Sequence, residues 1–238
     1  NLITAENRPE AVEPLARYLV DTYAEVVSVV NNVSAKKAAI AVGDYENRLA
    51  GDRYLKEKLG PFEFEISANS FFQTNTDGAE KIYDTVGQYA ALSGTETVVD
   101  LYSGTGTIPI WLSRHADRVV GIEIVESAVA DARKNCQKNG IDNCRFMVGD
   151  IRESISSLTR RPEVMVIDPP RAGMHKDVVK SVIEMAPDRI VYVSCNPSTL
   201  ARDAALLNDH YEVAGIQPVD MFPHTPHIEA VAKLVKRG

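Results

Sequence analysis

From about residue 69 onward the sequence repeats one rhythm, a short run of β-branched and apolar residues followed by a stretch that places apolar side chains at helical spacing. The runs fall at 97–101, 118–124, 144–148, 163–167 and 189–194, and most are rich in Val, Ile or Leu, as a strand covered on both faces must be. The stretches at 78–92, 108–115, 127–139, 176–186 and 198–208 carry the helical spacing. Strands alternating with helices predict an α/β fold built on a parallel, Rossmann-like sheet. The tail breaks the rhythm. Residues 212–219 and 230–236 are strand-like with no helix between them, which predicts an antiparallel pair at the sheet edge.

The first 66 or so residues have another texture. A helix is expected over 9–23 and strands over 26–30, near 38–42 and over 62–66, making a small α+β unit. Ser67-Ala68-Asn69-Ser70 is a natural joint, so the division expected is 1–68 and 69–238. The chain starts on Asn1 rather than Met, and the expectation is a longer gene product with further sequence upstream.

At 45% hydrophobic residues, the 238-residue chain has enough apolar material for a real core. Lys plus Arg number 26 against 33 Asp plus Glu, a formal charge of −7, which excludes gripping a polyanion by bulk charge alone. No apolar run approaches the roughly 18 residues of a membrane span, and the start has neither a basic leader nor an apolar signal core. A cytoplasmic protein without membrane contact is expected. Cys136, Cys144 and Cys195 include no C-x-x-C pair and are odd in number, against a disulfide framework or a structural zinc site. Cys136 and Cys144 read as small buried apolar side chains.

The segment from Val98 to Thr107, VVDLYSGTGT, is a buried strand running into a glycine loop that opens a helix. Such a loop lets a ligand approach the backbone at the carboxyl edge of the sheet. Tyr102, Gly104, Gly106 and Thr107 belong to it. Pro109 stands where a dinucleotide fingerprint wants its third glycine, so the match to a nicotinamide site is poor. Glu123, ending the next strand, can accept both hydroxyls of a ribose, and Asp150, after the third, is placed to meet an adenine edge.

Asp168-Pro169-Pro170-Arg171 sets a carboxylate at the end of the fourth strand, followed by rigid extended backbone. In Ser194-Cys195-Asn196-Pro197, Asn196 reads as an N-cap and Pro197 as a first-turn residue, so Cys195 stands at the positive end of a helix. A lowered thiol pKa and a larger thiolate fraction are expected there. Ahead of the last strand, His224, His227 and Glu229 share one loop. Two His and a Glu could form a facial metal site, but the loop's two prolines constrain it and no other ligand cluster is evident, so no metal is expected. A general base fits better, with Glu229 first and His227 second.

The segments Ser70-Phe71-Phe72-Gln73, Asp100 to Gly106, Asp168 to Arg171, Ser194 to Pro197 and His227-Ile228-Glu229, in that order, resemble the RNA 5-methyluridine methyltransferase family. The resemblance implies a seven-stranded S-adenosylmethionine-dependent methyltransferase sheet, with S-adenosylmethionine as cofactor and a uridine of tRNA or rRNA as substrate. It implies Cys195 as the nucleophile adding to carbon 6 of uracil and Glu229 as the base for elimination. Gln73, Tyr102, Thr107, Glu123 and Asp168 would bind the donor or border the uracil, and Phe71 would line the pocket. It also implies an oligonucleotide-binding domain ahead of these residues and, in some members, an iron–sulfur cluster; no obligatory protein partner is inferred. Two competing readings remain: a methyltransferase acting on an exocyclic amine through Asp168-Pro169-Pro170, and a non-catalytic RNA-binding module.

Overall fold

The computed structural model describes residues 1–34 and 45–238; the strand expected near 38–42 lies outside the described residues. The chain divides into two compact units, one of residues 1–57 with 64–71 and one of 58–63 with 72–238. No helix among the described residues is long and apolar enough to cross a membrane.

The smaller unit opens with β1 (Leu2–Thr4), α1 (Pro9–Thr22), β2 (Ser28–Val33) and β3 (Tyr45–Gly51). Helix α1 starts with a proline in its first turn, where the missing N–H has no partner to lose. Strand β2 lies between β1, its parallel neighbour, and β3, its antiparallel one. As the central strand it is the buried one, and even its asparagines are enclosed. Asn31 Nδ2 donates to Leu2 O and to Thr4 Oγ1, both at 3.0 Å. A two-stranded hairpin of β4 (Leu55–Leu59) and β5 (Phe62–Ile66) follows, and the division between the units passes through it.

The larger unit runs α2 (Thr76–Ala90), β6 (Thr97–Leu101), α3 (Thr107–Leu112) with a 3₁₀ turn at Ser113–His115, β7 (Arg118–Glu123), α4 (Glu126–Lys138), β8 (Cys144–Val148) and α5 (Ile151–Ser156). It continues with β9 (Val164–Ile167), α6 (Lys176–Met185), β10 (Arg189–Ser194), α7 (Pro197–Leu207), β11 (Tyr211–Val219) and β12 (Glu229–Lys236). The seven strands lie in the order β11-β12-β10-β9-β6-β7-β8, with β12 antiparallel to both of its neighbours and the remaining pairs parallel. This is the expected sheet with its antiparallel carboxyl-terminal pair. Strand residues that alternate toward one face, such as Leu101, Ile122, Ile167 and Tyr192, pack with Ile155, Val182 and Leu200 of α5, α6 and α7. Each fully buried aliphatic side chain there stabilises the fold by about 1.5–3 kcal/mol.

Two features of this order position a site. The chain grows from β6 toward β8 and then crosses back to β9 on the other side of β6, which opens a crevice at the carboxyl ends of β6 and its neighbours. Because β12 runs against β10, the residue that begins β12 stands at that same edge.

Candidate active site

The register brings the residues singled out from the sequence to one edge. Leu101 is level with Ile122 on β7 and with Ile167 on β9, so Tyr102, Glu123 and Asp168 are the next residues out. Ser194 is level with Ala230, so Cys195 and Glu229 face each other one step further on. Five side chains from β12, β10, β9, β6 and β7, neighbouring strands in that order, therefore line one edge of the sheet.

The glycine loop is shaped for close approach. Tyr102 adopts a positive φ of 67°, rare for a residue with a side chain and typical of a constrained functional turn. Gly104 N donates to Glu123 Oε2 at 3.0 Å, and Val125 N to Glu123 Oε1 at 2.9 Å, so the carboxylate is aimed along the loop. Gly106, at φ 80°, opens α3; a Cβ there would lie 2.8 Å from Phe146 and 2.9 Å from Ala132. Thr107 begins α3 and accepts a hydrogen bond from Tyr83 Oη at 3.1 Å.

Beside the loop lies a cavity of about 280 Å³ lined by Tyr102, Glu123, Ile124, Asp150, Arg152 and His175, among others. That is room for a nucleoside-sized group, with Ile124, Ile151 and Val178 as apolar lining beside the polar side chains. Asp150 is already engaged: it caps α5, and Arg152 donates to both of its oxygens at 2.8 and 2.6 Å, holding its carboxyl down at about 2. A larger cavity, about 460 Å³, surrounds Phe62, Trp111 and Arg114 and includes none of the residues named so far from the strand ends.

Asp100 is the residue that the sequence reading passed over. It is 1% exposed, and neither carboxylate oxygen has a hydrogen-bond partner among the described residues. Burial, with Asp168 and Glu123 nearby, pushes its carboxyl well above the usual range. An acidic residue inside an otherwise apolar buried strand was the available signal. Burial and then Glu229 likewise raise Asp168 to about 7, and burial raises Glu229. Carboxylates gathered without counter-charge suit a ligand that brings positive charge and donors. S-adenosylmethionine, with its sulfonium and ammonium groups, meets that requirement.

Cys195 corrects one expectation. Asn196 does cap α7, accepting from Ser198 N at 3.1 Å, and Pro197 is the first helical residue. Yet the thiol is pushed up rather than down: burial is the main cause, followed by the carboxylates of Glu229 and Asp168, which outweigh the backbone hydrogen bond and Arg171. The helix end was legible from local sequence, while the two opposing charges arrive from other strands. Cys136 and Cys144 are buried, as expected, and lie close enough for their thiols to interact.

The other candidates are placed as follows. Gln73 precedes α2, two residues before Asn75, which caps that helix and donates to Met221 O at 2.6 Å, tying the segment to the loop that leads toward Glu229. Phe71 falls in the smaller unit and is 74% exposed. His224 and His227 are exposed, and His224 has a positive φ of 71°.

The chain is similar to several known proteins. An uncharacterized RNA methyltransferase of Chlorobaculum tepidum is 46% identical over 213 residues, covering 87% of this chain and 44% of that protein. One from Enterococcus faecalis is 44% identical over 239 residues, covering 99% and 52%. The crystal structure of Pyrococcus abyssi tRNA (uracil-54, C5)-methyltransferase in complex with S-adenosyl-L-homocysteine superposes with a TM-score of 0.76 at 39% identity, covering 88% of this chain and 51% of that one. The chain thus spans about half the length of these relatives. The family description tRNA (uracil-5-)-methyltransferase matches residues 51–237, a span that includes the glycine loop, Asp168, Cys195 and Glu229, and the chain belongs to that family.

Proposed function

We propose that this chain carries the catalytic part of an RNA methyltransferase that transfers a methyl group from S-adenosylmethionine to carbon 5 of a uridine through a covalent bond from Cys195. Transfer RNA is the substrate class named for the family and for the Pyrococcus relative. The observation that carries the reading is the meeting of Cys195 and Glu229 at one level of adjacent strands, beside Asp168 and the glycine-loop crevice.

When bound, S-adenosylmethionine supplies the electrophilic methyl group. Asp100, Glu123, Tyr102 and the loop glycines would hold it, with Asp150 and Arg152 along the cavity wall. Carbon 5 of uracil is a weak nucleophile, and this chain's residues have to make it a strong one. Cys195 Sγ loses its proton to solvent and the thiolate's electron pair bonds to carbon 6; the ring's π electrons move toward carbon 5 and the carbonyl oxygen, forming an enolate that can take the methyl group. Asp168, at about 7, can hold a proton near neutrality and donate it toward the ring's amide edge, where the charge develops. Gln73 is the second candidate for that edge. After methylation Glu229 removes the hydrogen still on carbon 5, the electron pair reforms the double bond, and the carbon 6–sulfur bond breaks. A raised Glu229 is a better base than an ordinary carboxylate for this step. The target base has to be turned out of its stack, at a cost of a few kcal/mol.

Mass analysis of nucleosides from treated RNA tests the reading. The protein is expected to form 5-methyluridine, Cys195→Ala to form none while retaining donor binding, and Glu229→Gln to accumulate a methylated protein–RNA adduct. Methylation of an exocyclic amine, or full turnover by Cys195→Ala, would refute it.

A further inference from the structure

The helix that follows Cys195 carries a buried charge that the chemistry above does not use. Asp203, 0% exposed in α7, accepts four hydrogen bonds. Tyr192 Oη donates to its Oδ2 at 2.6 Å and Met174 N at 2.7 Å. Arg202 donates to its Oδ1 through Nε at 2.9 Å and Nη2 at 2.7 Å. The same Nη2 reaches the carbonyls of Ala172 at 2.9 Å and Met174 at 3.3 Å. Earlier in the helix, Asn196 Nδ2 and Thr199 Oγ1 donate to Arg171 O at 3.3 and 3.4 Å.

The loop that leaves Asp168 is thereby fastened, at Arg171, Ala172 and Met174, to the helix that starts beside Cys195. The fastening is specific to a carboxylate. The Met174 N–H and the Arg202 guanidinium can only donate, so an amide at 203 would turn its own N–H₂ against one set of them. Gly173 lets the loop pass this close: its φ is +77°, and a Cβ there would lie 2.4 Å from Arg202 Nη2 and 2.6 Å from Asp203 Oδ2.

Asp168 and Cys195 end adjacent parallel strands, and this clamp ties together the segments that follow them. We propose that Asp203, acting through Arg202 and the 171–174 loop, is a positioning residue that keeps Asp168 and the Cys195 sulfur aligned on one pyrimidine ring. The inference rests on the uracil-carbon-5 reading above. A misplacement of about 1 Å at reacting atoms costs on the order of 100-fold in rate. The donor cavity draws Tyr102, Glu123, Asp150 and Arg152 from β6, β7 and the segment after β8, and only His175 and Val178 from just past the clamped loop, so donor affinity is expected to fall far less than the rate.

The test is single-turnover trapping on 5-fluorouridine RNA, run beside calorimetric binding of S-adenosylhomocysteine, for the wild type, Asp203→Asn and Arg202→Gln. Arg202 is 49% exposed and Gln keeps one side-chain donor for Asp203, which makes Arg202→Gln the second variant, and thermal unfolding of both variants checks that they are folded at the assay temperature. Both variants are expected to form the adduct at least about tenfold more slowly, with donor affinity within about threefold of the wild type. An adduct rate within about threefold of the wild type in Arg202→Gln would overturn the inference. So would a loss of donor affinity as large as the loss of rate, the mark of a merely structural role. Absence of any adduct in the wild type would overturn the uracil reading and this inference with it.

Discussion

Asp100 and Asp203 are withdrawn from solvent to nearly the same degree, 1% and 0% exposed, and are surrounded in opposite ways. Asp203 is met by donors from β10, from its own helix and from the loop after β9. Neither oxygen of Asp100 meets one among the described residues, and the charges nearest to it, Asp168 and Glu123, are of its own sign. Burying a carboxylate without compensation is costly, so a fold that tolerates Asp100 obtains something for it elsewhere. The difference separates two uses of one chemical group. Asp203 is completed by donors of its own protein; Asp100 has none among the described residues, which fits the proposal above that a molecule bringing donors and positive charge completes it.

Paired substitutions can break this comparison. Asp100→Asn is expected to weaken S-adenosylmethionine binding by about ten- to a hundredfold, the worth of a charged hydrogen bond of about 1.5–3 kcal/mol, as read by titration calorimetry. Asp203→Asn is expected to leave that affinity nearly untouched. Thermal unfolding without donor should reverse the ranking. Asp203→Asn is expected to cost about 2–3 kcal/mol, because it leaves buried donors facing an amide, whereas Asp100→Asn is expected to stabilise by about 0.5–2 kcal/mol. Two shifts of the same sign would show that the carboxylates are not used differently.

A smaller effect sharpens the same contrast through pH. Asp168, at about 7, is largely neutral at pH 6 and ionised at pH 8, and only the ionised form attracts a cation. Because Asp100 and Glu123 are the carboxylates proposed to hold the donor, affinity for S-adenosylmethionine is expected to rise by no more than about threefold across that window and to level off above it. In the donor-free protein the same group works against the fold. Its folded value lies above the ordinary carboxylate value, so the folded state holds more protons, and stability falls as pH rises from about 4 to about 7. Asp168→Asn is expected to flatten both profiles; an unchanged slope in that variant would assign the proton elsewhere.

Much of this architecture was legible because of how its strands are buried. β6, β7, β9 and β10 lie inside the sheet and are buried along nearly their whole length, so they appear in the sequence as apolar runs. β3 and β4 gave no such signal: most of their residues are exposed, and β4, Leu-Lys-Glu-Lys-Leu, is mostly charged. Helix α5 is only six residues long, too short for a helical period to register. In the site, Asp168, Cys195 and Glu229 could be picked out because each stands where a strand begins or ends. Asp203 could not, since its partners Met174 and Tyr192 come together only when the loop folds onto α7. The state of the Cys195 thiol was misread for a related reason. A helix end is a local feature, and the charges that overrule it lie 27 residues before and 34 after in the chain.

The identity of the atom that bonds to RNA tests the central claim most directly. RNA containing 5-fluorouridine, incubated with the protein and S-adenosylmethionine, cannot release its adduct, because fluorine replaces the hydrogen that Glu229 would remove. After nuclease and trypsin digestion, mass mapping is expected to find the methylated fluoronucleotide on the peptide Ile190 to Arg202, whose one cysteine is Cys195. Attachment to a peptide carrying Cys136 or Cys144, or no attachment at all, would contradict it.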